Sequence, residues 1–213
     1  MRSVPIKSAQ QQADTMILKH RDMLVSQRTQ AITGLLAAIA QADAIPATAR
    51  DIAEAMGAHI ADLDAKLDAI GAQLAALHKA NPMSRLLAGI PGVGLLTALT
   101  MALSIKPEHF ASARHVSAWL GLTPKERSTG GKQRFGKISK AGNEKMRQLL
   151  VTGSMAVIRF AEPGSKSASP WLLKLLERKP RKLAAVALAN KNARIIWSMM
   201  TSGEAYRQPP VAA

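Results

Sequence analysis

A basic, glycine-rich segment is the part of this sequence best suited to chemistry. Between Pro124 and Arg147, acidic residues occur only at Glu126 and Glu144. The cations of the segment are Lys125, Arg127, Lys132, Arg134, Lys137, Lys140, Lys145 and Arg147. Within it, Ser128-Thr129-Gly130-Gly131 forms a hydroxyl-bearing turn that can bind phosphate through its amides and hydroxyls. The same turn can present a serine oxygen to a phosphodiester, with cations stabilising the charge that develops.

The residues alone leave both uses of this turn open and favour passive phosphate binding. No histidine lies within the turn to act as a general base. His109 and His115 lie upstream, and a structural role is more typical of either. Ser128 is therefore the candidate nucleophile, with Thr129 as second choice.

A second candidate phosphate site is the turn Ile90-Pro91-Gly92-Val93-Gly94, which resembles the hairpin of helix-hairpin-helix DNA-binding modules. Glycines let a backbone approach a phosphate closely, and amides at the start of the second helix point towards it. Such a contact recognises backbone rather than base sequence. The alternative is an ordinary corner between two core helices; the basic surroundings favour phosphate binding.

A third set of cations lies late in the chain: Lys174, Arg178, Lys179, Arg181, Lys182, Lys191 and Arg194. Apolar residues alternate with them, so one helix face can pack while the other follows a nucleic-acid backbone. Aromatic residues make up only 3% of the chain, which argues against single-strand recognition through stacked bases.

The charge distribution favours a polyanionic partner. The net charge is +15 at pH 7, and residues 1–68 are nearly neutral, so the excess lies in residues 69–213. A basic surface of this size attracts phosphate backbones through Coulomb energy and counterion release. The chain has no cysteine, which excludes disulfides and thiolate metal sites. With no signal-peptide pattern, this composition predicts a cytoplasmic protein.

One uncharged run, from Leu86 to Ile105, is long enough to cross a bilayer. Its centre contains Gly89 and the Pro91-Gly92 turn, and exposed turn backbone is not tolerated in lipid. We therefore predict no membrane association.

Two long helices must precede the basic region. The first covers residues 8–41, and after a connector at Ala42–Ala49 with Pro46, Thr48 caps a second helix that ends near Leu77. The apolar set of the first helix is Met16, Leu24, Ile32, Leu35, Leu36 and Ile39. That of the second is Met56, Ile60, Leu63, Leu67, Ile70, Leu74 and Leu77. The latter set has the four-and-three spacing of a coiled-coil seam, which packs within the chain or on another chain.

The predicted fold is all-α. A long antiparallel helical, coiled-coil arm occupies residues 1–80, and Asn81-Pro82 ends it. A compact helical DNA-binding and serine domain with a helix-hairpin-helix element follows at 81–202, then a disordered tail at 203–213. The nearby acids Asp51, Glu54, Asp62, Asp64 and Asp68 are interpreted as the solvated face of the arm rather than a metal site.

In combination, these motifs resemble the C-terminal domain of the insertion sequence 110/116/902 transposases. The matching pieces, from about residue 84 to 200, are the Ile90–Gly94 turn, Phe110 with Ala118–Pro124, Ser128–Lys132, Ile138–Asn143 with Arg147, and Ala187–Trp197. Residues 1–40, with Val4–Lys7 and Val25–Thr29, are similar to the segment after that family's N-terminal nuclease domain.

The resemblance implies a recombinase that joins element DNA to target DNA under the direction of a bridge RNA. It implies that Ser128 attacks the DNA backbone to form a phosphoserine link, and that the arm mediates homo-oligomerisation. A RuvC-like N-terminal domain supplies four acidic residues that bind Mg²⁺ in that family. The implied DNA-binding residues are Pro91, Gly92, Val93, Gly94, Lys125, Arg127, Gly130, Gly131, Lys132, Arg134, Lys137, Lys140, Asn143, Arg147, Lys191 and Arg194.

This sequence departs from the family pattern because it starts after the acidic domain. Two-metal chemistry needs converging carboxylates, so no cofactor is expected in this chain and Mg²⁺ only with the missing domain. We therefore predict a transposase fragment that does not recombine DNA alone. The alternatives are a non-catalytic DNA- or RNA-binding protein and a coiled-coil module that competes for subunits of intact transposases.

Overall fold

The computed structural model describes residues 8–40, 47–126, 134–162, 165 and 169–207. Within these ranges it contains eight α helices, one short 3-10 helix and one two-stranded sheet, which confirms the all-α prediction. The helices are α1 (Ala9–Ala40), α2 (Ala47–Ala80), α3 (Pro82–Leu87), α4 (Leu95–Ser104), α5 (Ala113–Trp119), α6 (Glu144–Arg159), α7 (Pro170–Arg178) and α8 (Arg181–Ser202). The 3-10 helix is Pro107–His109, and the strands are β1 (Pro124–Glu126) and β2 (Phe135–Ile138). The chain forms two compact units, which divide between Leu77 and His78.

The first unit is built from α1 and α2, which run antiparallel. Arg28 of α1 forms an ion pair with Asp64 of α2, and further along α1 Gly34 faces Met56, earlier in α2. Every member of the predicted α2 seam is buried or half-buried; Leu63, Ile70 and Leu74 are buried. The spacing of the apolar residues therefore identified the packed face of α2 correctly.

Two details of the first unit differ from the sequence prediction. The second helix begins at Ala47, so Thr48 lies inside it and is not its cap, and it continues to Ala80. Three members of the predicted apolar set of α1 are exposed: Met16 is 67% exposed, Leu36 61% and Ile39 45%. The acids of α2 do lie on a largely solvated face, because only Asp64 among them is half-buried and the others are exposed. Asp64 pairs there with Arg28, and Asp62 with Lys66.

The core of the second unit forms around α8. Small residues of this helix, including Ala189 and Ala193, are buried and let α5 and α6 approach it closely. Leucine, isoleucine, valine and methionine side chains fill the rest of the main cluster: Leu87, Ile90, Val93, Met101, Ile105, Val116, Leu120, Leu122, Met146, Leu150, Ile196 and Met199. A smaller cluster, with Leu172 at its centre, attaches α7 to α6 and α8. The second unit therefore offers a rigid helical support for the loops that connect its helices.

A β hairpin stands where the sequence predicted only a glycine-rich turn between helices. Strands β1 and β2 pair antiparallel, with Pro124 opposite Ile138 and Glu126 opposite Phe135. Two residues of β2, Gly136 and Lys137, therefore oppose Lys125 alone, which is a β bulge. Strands of three and four residues are too short to show the alternation by which strands are recognised in a sequence.

The uncharged run from Leu86 to Ile105 is divided between α3 and α4 by the predicted turn. Among the residues that the structure describes, no helix combines the length and apolarity needed to cross a membrane.

Candidate nucleic-acid interface

Two glycines allow the base of the β hairpin to pack closely against the end of α5. Gly142 has a φ of 71°, and a β-carbon there would lie 1.9 Å from the Trp119 carbonyl oxygen. Gly121 has a φ of 69°, and its β-carbon would lie 2.3 Å from the Ala141 carbonyl oxygen. The amide of Lys140 also donates to the Gly121 carbonyl at 3.1 Å. The two motifs that flank the basic segment thus pack backbone against backbone, where no side chain fits.

Two of the predicted DNA-binding residues make hydrogen bonds that position this junction. Asn143 caps α6, because its side-chain oxygen accepts from the Met146 amide at 3.0 Å. One turn later, Arg147 Nη1 donates to the carbonyls of Leu120 and Ala141, at 3.1 and 2.8 Å. Arg147 thus links α6 to the end of α5 and to the segment after β2, whereas Asn143 fixes the start of α6.

The hairpin itself carries exposed cations. Lys125 on β1, Lys137 on β2 and Lys140 after β2 are exposed, and so is Arg134 immediately before β2. The segment that joins the strands lies outside the described residues. It contains six of the predicted site residues: Arg127, Ser128, Thr129, Gly130, Gly131 and Lys132.

A cleft of about 830 Å³ lies between β2 and the helices α7 and α8. Four cations line it: Lys137 from the hairpin, Lys179 after α7, and Lys191 and Arg194 from α8. Among the described residues that line the cleft, none is acidic. The structure thus brings Lys137 together with two predicted DNA-binding residues from a distant part of the sequence, Lys191 and Arg194.

Lys191 is the most constrained cation of the cleft. Its Nζ lies 4.3 Å from the centroid of the Trp171 ring, which is the geometry of a cation–π contact. Partial burial lowers the pKa of Lys191, and the charge of neighbouring Arg194 lowers it further. A bound anion would offset both effects, because it stabilises the charged form of the lysine.

The same helix is fixed to the hairpin base. The side chain of Asn190 donates to the Leu122 carbonyl at 3.1 Å, so Lys191 and Arg194 are held at a defined distance from β2. Tight positioning of this kind lowers the entropy that a ligand-binding surface loses when it orders.

The Ile90–Gly94 turn joins α3 to α4, as predicted, but it packs against the core. Gly92 has a φ of 85°, and a β-carbon on Gly153 of α6 would lie 1.9 Å from the Gly92 carbonyl oxygen. Asn192 of α8 donates to the Pro91 carbonyl at 2.9 Å. The groove beside the turn has a volume of about 740 Å³, and the described residues that line it carry no charge. Close packing therefore accounts for Gly92 without any phosphate, and the turn does not line the basic cleft.

Sequence reasoning missed the aromatic wall of the cleft. Residue types alone do not single out Trp171, and they do not distinguish Lys179 from the other late cations. Ser169-Pro170 is a helix-start signal, and Ser169 indeed caps α7. That signal places Trp171 in a first turn, but only the packing of α7 on α8 brings its ring to Lys191.

The described residues do not form a metal site. No group of three or more histidine, aspartate or glutamate side chains comes together within the described ranges. In the first unit, Asp62 and Asp64 each pair with a cation instead.

Several of the known proteins whose sequences are similar to this chain are transposases. Residues 84–169 match the sequence model described as Transposase IS116/IS110/IS902 family. The chain is 42% identical to a putative transposase y4pF/y4sB of Sinorhizobium fredii, over 98% of this chain and 60% of that protein. It is 36% identical to a probable family 20 transposase of Pseudomonas aeruginosa, over 97% of this chain and 69% of that protein. It is also 36% identical to the transposase for insertion sequence element IS1111A of Coxiella burnetii, over 97% of this chain. The chain thus spans 60%, 69% and 64% of these three relatives' lengths, respectively.

Proposed function

The chain belongs to the IS116/IS110/IS902 transposase family, and from this premise we propose that it binds DNA in the cleft between β2 and α8 during transposition. The observation that carries this proposal is the convergence of Lys137, Lys179, Lys191 and Arg194 on one cleft without an acidic lining residue. Cations so arranged neutralise neighbouring phosphates and release counterions. Lys125, Arg134 and Lys140 extend the same positive surface along the hairpin.

We assign the nucleophile to Ser128, with Thr129 as second choice. Support comes from the hairpin, because the pairing of Glu126 with Phe135 holds together the two ends of the segment that carries Ser128. In the proposed step, Ser128 Oγ forms a bond to phosphorus and loses its proton. The bond from phosphorus to the oxygen of the departing strand breaks, and that oxygen takes up a proton. Arg127 and Lys132 stabilise the charge on the phosphorane, and Gly130 and Gly131 contact phosphate through their amides.

The chain is proposed to be inactive in recombination by itself. The family resemblance assigns Mg²⁺ to four acidic residues of an N-terminal RuvC-like domain, and the described residues here do not fit such a site. The step proposed for Ser128 therefore uses only residues of this chain. Its own contributions are DNA binding and, when an acidic domain is supplied, the serine.

Two further partners belong to the proposal. The helical arm, assigned to residues 1–80, is proposed to form homo-oligomers through a coiled coil, and its exposed apolar side chains support this. They are Met16, Met23, Leu36, Ile39 and Ile52. A bridge RNA, the other polyanion that the family resemblance implies, is proposed to use the basic surface of residues 81–202. Pro91–Gly94 is proposed to contact the nucleic-acid backbone separately from the cleft. Gly94 precedes α4 without a side-chain cap, so a phosphate can accept from the amides at the start of that helix.

A covalent adduct tests the serine. Incubation with DNA is expected to give a denaturant-stable protein–DNA adduct only when the acidic domain of a family member is supplied. Ser128→Ala should abolish the adduct and Thr129→Ala should retain it, because only the former removes the attacking oxygen. Denaturing gel electrophoresis detects the adduct in each variant by its reduced mobility.

The alternatives give different results in the same assay. Salt-dependent DNA binding with no adduct under either condition would indicate a non-catalytic binding protein. Mixed oligomers with a family transposase, without DNA affinity, would indicate a coiled-coil interaction module. An adduct that persists in Ser128→Ala and disappears in Thr129→Ala would move the nucleophile to Thr129.

A further inference from the structure

One wall of the basic cleft is apolar and aromatic, which a phosphate backbone alone does not require. Trp171 is 38% exposed and Leu183 is 53% exposed, and both line the cleft with Ile138, Leu175 and Val186. Leu172, the next residue in α7, is buried in the core. The rotation of α7 that buries Leu172 therefore leaves the neighbouring tryptophan at the cleft.

We propose that this cleft holds an unpaired nucleotide, with its base against Trp171 and the apolar wall and its phosphates on the surrounding cations. The inference rests on the proposed DNA binding and names the form of nucleic acid that the site takes. A base within a duplex has both faces covered by its neighbours, whereas an unpaired base offers its face to an aromatic side chain.

The dimensions and charges of the cleft fit this ligand. Its volume of about 830 Å³ lies in the range of sites that enclose small organic molecules, roughly 300–1,000 Å³. Lys191 lies over the Trp171 ring and beside Arg194, and burial together with that charge lowers its pKa. A phosphate next to this pair would relieve the repulsion between them while the base remains at the ring.

A site for a single nucleotide is also compatible with the low aromatic content of the chain. The chain has too few aromatic residues for a platform that stacks successive bases. Stacking of one base requires only one aromatic ring, and Trp171 is the aromatic residue among the described residues that line the cleft.

Fluorescence anisotropy with three short labelled probes tests the inference: oligothymidine, the same backbone with abasic residues, and oligouridine. The wild-type chain should bind oligothymidine more tightly than the abasic backbone, by roughly fivefold or more for one stacked base. Trp171→Leu should remove that difference, and Trp171→Phe should keep part of it. Trp119→Leu is the matched control, because Trp119 is 41% exposed and does not line the cleft.

The probes also separate the two sources of an unpaired nucleotide. Tighter binding of oligothymidine assigns the site to a DNA strand, and tighter binding of oligouridine assigns it to RNA; either supports the inference. Equal affinity for the base-containing and abasic backbones, or a difference that survives Trp171→Leu in a chain with a native circular dichroism spectrum, would overturn it.

Lys137→Glu, measured with the same probes, distinguishes failure of this inference from failure of the proposed function. Weaker binding of every probe by this variant supports the backbone contact, even where the base makes no difference. Unchanged binding of every probe would overturn the proposed DNA binding at the cleft itself.

Discussion

Replacing Gly142 by alanine is expected to destabilise the second unit by about 3 kcal/mol or more and to abolish nucleic-acid binding. Gly142 has a φ of 71°, and the added β-carbon would lie 1.9 Å from the Trp119 carbonyl oxygen. The clash is with backbone, so relief requires the segment after β2 to separate from the end of α5. The Lys140–Gly121 hydrogen bond and both Arg147 hydrogen bonds span that junction. Urea denaturation measures the decrease in the free energy of unfolding.

Gly203→Ala is the matched control for this change. Gly203 has a similar φ of 74°, and nothing lies within 4 Å of its β-carbon position. It should therefore lose only the conformational preference of glycine, about 1 kcal/mol. Equal losses in the two variants would show that the backbone contact at Gly142 contributes nothing, and the junction would not be the element that positions the hairpin.

Reversing two charges of the cleft, in Lys137→Glu with Lys191→Glu, is expected to weaken DNA binding by roughly a hundredfold at low salt, about tenfold for each lost phosphate contact. The slope of log affinity against log salt should fall by about 2. Both side chains line the same cleft from opposite elements, β2 and α8. Titration of a labelled oligonucleotide over a salt series measures affinity and slope together.

Lys174→Glu with Lys182→Glu makes the same change in net charge elsewhere on α7 and α8. Both lysines are exposed and neither lines the cleft. This pair should lower affinity only slightly, through the overall field of the protein. If the two pairs weaken binding equally, net charge rather than the cleft determines affinity.

The helices were largely predictable, because burial in them follows a regular spacing. The α2 seam from Met56 to Leu77 is an example, since seven positions at heptad spacing specify one face. Helix ends were less accurate, as at Thr48, because a cap depends on local geometry that the spacing does not specify. The β hairpin was missed because strands of three and four residues are too short to show an alternation of apolar and polar residues.

The candidate site was predictable as a set of residue types but not as an arrangement. Lys137, Lys191 and Arg194 were selected for their charge, and only the packing of α8 on the hairpin base brings them to one cleft. The close packing of Gly92 against Gly153 could not be predicted, because the two residues lie far apart in sequence. Ser128 lies outside the described residues, so its catalytic role stays a prediction, as does the cytoplasmic location.

Photocrosslinking tests the location of the bound strand most directly. A single-stranded oligonucleotide with iodouridine substitutions would be irradiated on the full chain, and the modified peptides mapped by mass spectrometry. The cleft account predicts adducts in peptides that contain Lys137, Trp171 or Lys191. Adducts confined to α1 and α2, or to Pro91–Gly94, with the cleft peptides unmodified, would contradict it.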